Sequence, residues 1–115
     1  MNNEGDSEIL EVQSRIVHSI PVVAASGEID IVSAPLLKSA LDEAVQADPS
    51  MLIVDLSGIT FLGSVGLSVL IALRESTTIE LQIVVSQQAR RPIEVTGMAE
   101  FFTLTESLED ALPQI

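Results

Sequence analysis

Cysteine is absent from the chain, which excludes disulfides, thiolate nucleophiles, thiol redox sensing and cysteine-based metal sites. Tryptophan and tyrosine are missing too, and three phenylalanines are the whole aromatic complement. Aliphatic side chains must therefore fill any core. Bases are scarce: Arg15, Lys38, Arg74, Arg90 and Arg91 stand against 17 acids, for a net charge of −12. Such a surface repels phosphate backbones and anionic membranes. It argues against direct nucleic-acid or membrane binding and suits either a protein partner with a basic face or plain solubility. Long apolar runs are lacking as well. The longest, Val65 to Leu73, is interrupted by Gly66 and Ser68 and falls far short of the ~20 residues that span a bilayer. Met1 to Glu8 are polar and acidic, unlike a signal peptide, so a cytoplasmic location is expected.

What remains is enough for one domain. With 115 residues, 47% of them hydrophobic, the chain can bury a single core without staples. Residues 1–8 read as a flexible acidic N-terminus and residues 9–115 as the folded domain. The stretches "EILEVQSRIV" and "IPVVAASGEI" predict two strands joined near His18-Ser19, with Pro21 at an edge or turn. Ser33 is placed to cap a helix with Pro35 in its first turn. Its apolar stripe is Leu36, Leu37, Leu41, Ala44 and Val45, opposite Lys38, Asp42, Glu43 and Gln46.

"MLIVDL" is continuously apolar but for its aspartate, the mark of a strand covered on both faces. A second helix, from about Ser64 to Arg74, is apolar nearly all round and predicts a buried element. "IELQIVV" reads as the next strand and "ARRPIEVTGM" as a short helix closed by Gly97. Phe101-Phe102 predict a short last strand. Thr105 is placed to cap a terminal helix that turns Leu108, Ala111 and Leu112 inward. Strand–helix alternation after an initial hairpin implies an α/β domain with a small mixed or parallel sheet.

Ser64 stands out, a hydroxyl between Gly63 and Gly66 where a strand gives way to a helix. A nucleophile elbow needs G-x-S-x-G. Here the glycines sit one before and two after the serine, and the sole histidine, His18, belongs to an early turn. A phosphate-binding loop needs a lysine after its second glycine, and the chain's only lysine is Lys38. Two readings stay open. Ser64 is an N-cap, with Gly66 allowing close helix–sheet approach, or it is a phosphoacceptor. At a helix N-terminus a phosphoserine adds about −1.5 to −2 charge without unfolding the domain.

The segments "SGEIDIVSAPLLKSALDEAV", "LIVDLSGITFLGSVGLSVL" and "RRPIEVTGM" closely resemble the anti-sigma-factor antagonists, bacterial anti-anti-sigma proteins built on the STAS domain. The likeness runs from about Ile9 to Leu112 and includes the G-E-[IL]-D motif, here Gly27-Glu28-Ile29-Asp30. The resemblance implies a single STAS domain, with a four- to five-stranded mixed sheet and about four helices packed mainly on one side. It implies no catalytic site, no cofactor and no metal.

The partner it implies is an anti-sigma factor that is also a serine kinase. Unphosphorylated antagonist binds this kinase and frees a sigma factor, phosphorylated antagonist lets go, and a serine phosphatase resets the cycle. The family's acceptor serine matches Ser64, with Ser57 and Ser68 as lesser candidates. Ser68 is expected deeper in the apolar segment. Many members carry an aspartate where this chain has Gly63, and a small residue where it has Val65.

The implied interface comprises Gly63, Ser64, Val65, Gly66 and the Gly27–Ser33 loop, with Gly27, Glu28, Asp30 and Ser33 as its candidate contacts. Asp30 would either add like-charge repulsion to a phosphate or accept backbone N–H bonds where strand turns into helix. Arg90 and Arg91, read as sitting at a helix start where the dipole disfavours cations, would pair with partner carboxylates or offset local acids such as Glu94. A STAS module of another assembly, for stress signalling or lipid transport, is the alternative, and there Ser64 need not be modified. Few exposed apolar residues are expected, and hence a monomer.

Overall fold

The structure, a computed structural model, describes residues 9–113; the acidic segment 1–8, expected to be flexible, lies outside the described residues. Five strands and four helices alternate along the chain. They are β1 (Glu11–Val17), β2 (Ile20–Ile29), α1 (Ala34–Gln46), β3 (Met51–Leu62), α2 (Ser64–Ser76), β4 (Glu80–Val85), α3 (Gln87–Val95), β5 (Thr103–Thr105) and α4 (Leu108–Ala111). A 3-10 turn over Met98–Phe101 precedes β5.

The sheet runs β1-β2-β3-β4-β5 in space, so the spatial order is the chain order. β1 and β2 are antiparallel, joined by His18 and Ser19, both with positive φ (50° and 69°), as a two-residue hairpin demands. Pro21 opens β2 opposite Ile16 and before pairing with β3 begins at Val22, where its missing N–H costs no ladder bond. The later pairings are all parallel. Strands added in one direction through right-handed crossovers place every connecting helix on the same face. That topology explains why α1, α2 and α3 share one side.

The main core lies under those helices, where Leu52, Val54 and Leu56 of β3 meet Leu37, Leu41, Leu70, Leu73 and Ile93. On the other face Val22, Ile53 and Val84 form a smaller cluster that α4 closes with Ala111, supported by Leu108 and Leu112. The prediction of inward-facing residues on the terminal helix therefore holds, and β3 is covered on both faces as its composition implies.

Several expectations need correction. Leu36 is half exposed while Leu37 and Leu41 are buried, so the stripe of α1 is narrower than its spelling. α2 is not buried all round: Ser64, Ser68, Ala72 and Glu75 form an exposed stripe, because small and polar residues recur there every three to four positions. Phe101 belongs to the 3-10 turn and Phe102 to the core, while the last strand is Thr103–Thr105. The terminal helix is capped by the Ser107 hydroxyl, which accepts the Asp110 N–H at 3.1 Å, and not by Thr105. Helix α3 is likewise capped by Ser86, whose hydroxyl accepts from Ala89 N–H and donates to the Ile59 carbonyl of β3 at 2.7 Å. Exposed large apolar side chains are more numerous than expected: Ile9, Ile16, Ile31, Val32, Leu36, Phe61, Val95 and Phe101.

Candidate functional site

In a parallel sheet the loops leaving the C-terminal ends of the strands gather at one edge, and ligands meet the protein there. Here β2 delivers Asp30–Ser33, β3 delivers Gly63-Ser64, and β4 delivers Ser86 and α3. The first two loops are bonded directly, the Gly63 N–H donating to the Ile29 carbonyl at 2.9 Å.

Ser64 is exposed and is the first residue of α2, while Gly63 is the N-cap, with extended backbone and no side chain to cap with. The reading of Ser64 as the N-cap is thus off by one residue. The first helical bond runs from Leu67 N–H to the Gly63 carbonyl at 3.1 Å, so the N–H groups of Ser64, Val65 and Gly66 have no intrahelical acceptor. Gly66 is buried, and a Cβ there would stand 2.6 Å from Leu62 Cδ1 and 2.7 Å from Ile29 Cγ2. This close seat holds the start of α2 against the ends of β2 and β3. Ser68 is one turn on, and its hydroxyl donates to the Ser64 carbonyl at 3.1 Å. It is exposed, contrary to the expectation that it lies deeper.

The Asp30 loop is a network of short bonds. Asp30 Oδ1 accepts the N–H groups of Val32 at 3.0 Å and Ser33 at 2.9 Å, the strand-to-helix role open to it from the sequence. The Ser33 hydroxyl does not cap α1. It accepts the Asp30 N–H at 2.9 Å, donates to the Glu28 carbonyl at 2.9 Å, and lies 3.0 Å from Asp30 Oδ1. The Ser33 N–H, and next its hydroxyl, hold the Asp30 carboxyl below its ordinary value of 3.8. A group that is a stronger acid when folded stabilises the fold in its ionised form. Its contribution is complete above about pH 3.8 and is lost as pH falls through the lower folded value. An NMR titration of the Asp30 carboxyl carbon should therefore show a midpoint below 3.8, and Asp30→Asn should flatten the acid limb of stability against pH.

Gly27, Glu28 and Ile29 belong to β2 rather than to the loop. Gly27 is buried, with φ at +106°, and faces the backbone of Ile9, which its missing side chain allows to approach. Glu28 pairs in register with Phe61 and is half buried. Arg90 and Arg91 fall in the second turn of α3, not at its start, so the dipole misfit read from the sequence is relieved. Arg90 pairs with Glu94 at 3.2 Å, while Arg91 borders a notch with Phe61, Pro92 and Val95.

The sequence reading missed the apolar rim of this edge. Ile31 (74% exposed) and Val32 (84%) share the loop of Asp30 and Ser33, Leu36 (51%) lies in the first turn of α1, and Phe61 (49%) lies at the end of β3, three residues before Ser64. One signal was available: Ile31-Val32 immediately follow an aspartate in turn spacing, where apolar residues have no local reason to sit. Among the described residues no group of His, Asp or Glu could hold a metal ion, and no helix is long and apolar enough to cross a membrane.

The STAS domain family profile matches residues 11–111, which takes in every strand and helix of the sheet. The chain belongs to the STAS domain family. Within that family its relatives are anti-sigma factor antagonists. The anti-sigma-F factor antagonist RsfB of Mycobacterium tuberculosis is 38% identical over 98 residues, covering 83% of this chain and 80% of RsfB. A crystal structure of an anti-sigma factor antagonist from Mycobacterium paratuberculosis superimposes with a TM-score of 0.86 at 38% identity, covering 90% of this chain and 91% of that one. The anti-sigma factor antagonist SpoIIAA in its unphosphorylated form shares the fold at a TM-score of 0.68 and 15% identity, over 88% and 92% of the two chains. The expected STAS fold, four to five mixed strands with about four helices mainly on one side, is observed, with five strands and four helices.

Proposed function

We propose that this STAS domain is an anti-anti-sigma factor acting in the cytoplasm. Unphosphorylated, it binds an anti-sigma factor that is also a serine kinase and so releases a sigma factor. Phosphate on Ser64 ends the complex, and a serine phosphatase restores it. The observation that carries this reading is the exposed Ser64 hydroxyl on the first turn of α2, at a strand edge that also presents exposed apolar side chains. A kinase can reach the hydroxyl without opening the fold. The added charge meets free N–H groups at the helix start, so the domain tolerates it and the effect falls on the partner. The relatives' names, which include an anti-sigma-F factor antagonist, support the same assignment.

The test mixes the purified chain with ATP and each anti-sigma factor of the organism that carries it. One added phosphate, mapped to Ser64 by fragment mass spectrometry, is the expected result. Ser64→Ala should take up none and should stay bound in the presence of ATP. Phosphate at Ser57 or Ser68 instead, or normal release of Ser64→Ala, would overturn the assignment in favour of a STAS module of another assembly, in which Ser64 need not be modified.

A further inference from the structure

Of the chain's five cations three are committed within the described structure, while Arg15 on β1 and Arg91 on α3 are not. Lys38 pairs with Asp42, Arg90 with Glu94, and the Arg74 guanidinium is held by the Thr77 and Ile79 carbonyls. Arg91 makes no ion pair among the described residues. It rims an open notch of about 470 Å³ between the end of β3 and α3, floored by Phe61, Leu62, Pro92 and Val95 and bordered by Gln88. Val95 is 74% exposed on a helix whose inward face is taken by Ala89 and Ile93. The notch is continuous with the Ser64 edge, because the Phe61 ring lies against Gly63, its Cε2 3.2 Å from where a Gly63 Cβ would be.

We propose that this notch is a second anchoring point for the same anti-sigma factor, taking an apolar side chain of the partner with a carboxylate beside it for Arg91. The proposal rests on the anti-anti-sigma reading and extends it to α3. An apolar floor with a lone guanidinium at its rim selects that pairing: the floor excludes water from a large side chain, and the planar cation fixes its orientation through a carboxylate. A second copy of this chain fits worse, since a net charge of −12 repels its own kind.

Titration calorimetry of the anti-sigma factor that the wild-type chain binds, against Arg91→Glu, Arg91→Lys and Val95→Asp, tests it. Arg91→Glu and Val95→Asp should each weaken binding about tenfold or more, and Arg91→Lys distinctly less than Arg91→Glu. Thermal melts of all three should overlay the wild type, as these side chains face solvent. If both disruptive variants bind like wild type while phosphorylation at Ser64 still releases the partner, the notch proposal falls and the switch stands. If the wild-type chain binds no anti-sigma factor, the switch reading falls and takes the notch with it. A concentration-dependent dimer in sedimentation runs that Val95→Asp abolishes would assign the notch to self-association and overturn the proposal.

Discussion

Phosphorylated chain, and the Ser64→Glu variant that approximates it, is expected to bind its anti-sigma factor at least a hundredfold more weakly than unmodified chain. The argument is electrostatic. Phosphate takes the net charge from −12 to about −14 and puts the new charge at an edge that a partner must desolvate. An unpaired charge buried in a contact costs several kcal/mol, and ~3 kcal/mol already exceeds a hundredfold in affinity. Among the described residues no cation bonds to Ser64 to neutralise it; Arg90 is engaged with Glu94 and Arg91 faces the notch beyond Phe61. The Asp30 carboxylate, ionised across the physiological range, sits in the neighbouring loop and adds repulsion of the same sign. Calorimetry of the two forms against one partner measures the ratio. Equal affinities would remove phosphorylation as the switch, whatever residue carries the phosphate.

Domain stability should hardly change between those two forms. The helix start gains an anion where its N–H groups are free, a placement worth ~0.3–1 kcal/mol in its favour. The binding loss and the unaltered melt together separate a switch at the surface from a lesion in the fold.

Much of this architecture is legible in the residues, and the failures have physical causes. β2 and β4 announce themselves through β-branched runs, and α1 through Leu37 and Leu41 at helical spacing. The end of β3 at Phe61-Leu62 is legible too, but its path between is not, because Ser57-Gly58 interrupt the apolar run after Leu56. The strand in fact continues to Leu62 through a register shift against β2, where Gly58 sits so close to Ser26 that a Cβ would stand 2.8 Å from its Cβ. A bulge of this kind depends on a neighbour more than thirty positions back in the chain, which no local pattern reports. The site divides in the same way. Ser64, Asp30 and Ser33 are legible because polar side chains at an element boundary have few local uses. Phe61 and Val95, unlike the turn residues Ile31 and Val32, are not, since a large apolar residue on the surface of a strand or helix is spelled identically to one in the core. Only the three-dimensional sheet edge shows which of them lack cover.

The second large effect concerns the fold that holds this edge in place. Gly27→Ala is expected to destabilise the domain by about 3 kcal/mol or more, a loss of roughly 10 °C in melting temperature for a chain of this size. Two causes add. Gly27 has φ at +106°, a conformation closed to residues with a Cβ except under strain. A Cβ there would also lie 2.6 Å from the Ile9 carbonyl oxygen and 3.3 Å from Leu10 Cα. These are backbone atoms and cannot swing aside as a side-chain tip would. To make room, the segment entering β1 must move, and it carries Leu10, which is buried in the main core. Gly97→Ala isolates the first cause. Its φ is also positive, at 77°, but nothing lies within 4 Å of the added methyl, so only the dihedral cost of about 1 kcal/mol applies. With tryptophan and tyrosine both absent, urea unfolding followed by circular dichroism is the suitable readout. A Gly27→Ala loss no larger than that of Gly97→Ala would mean the β1 entry yields freely, and the close approach of Ile9 to β2 would then carry no structural weight.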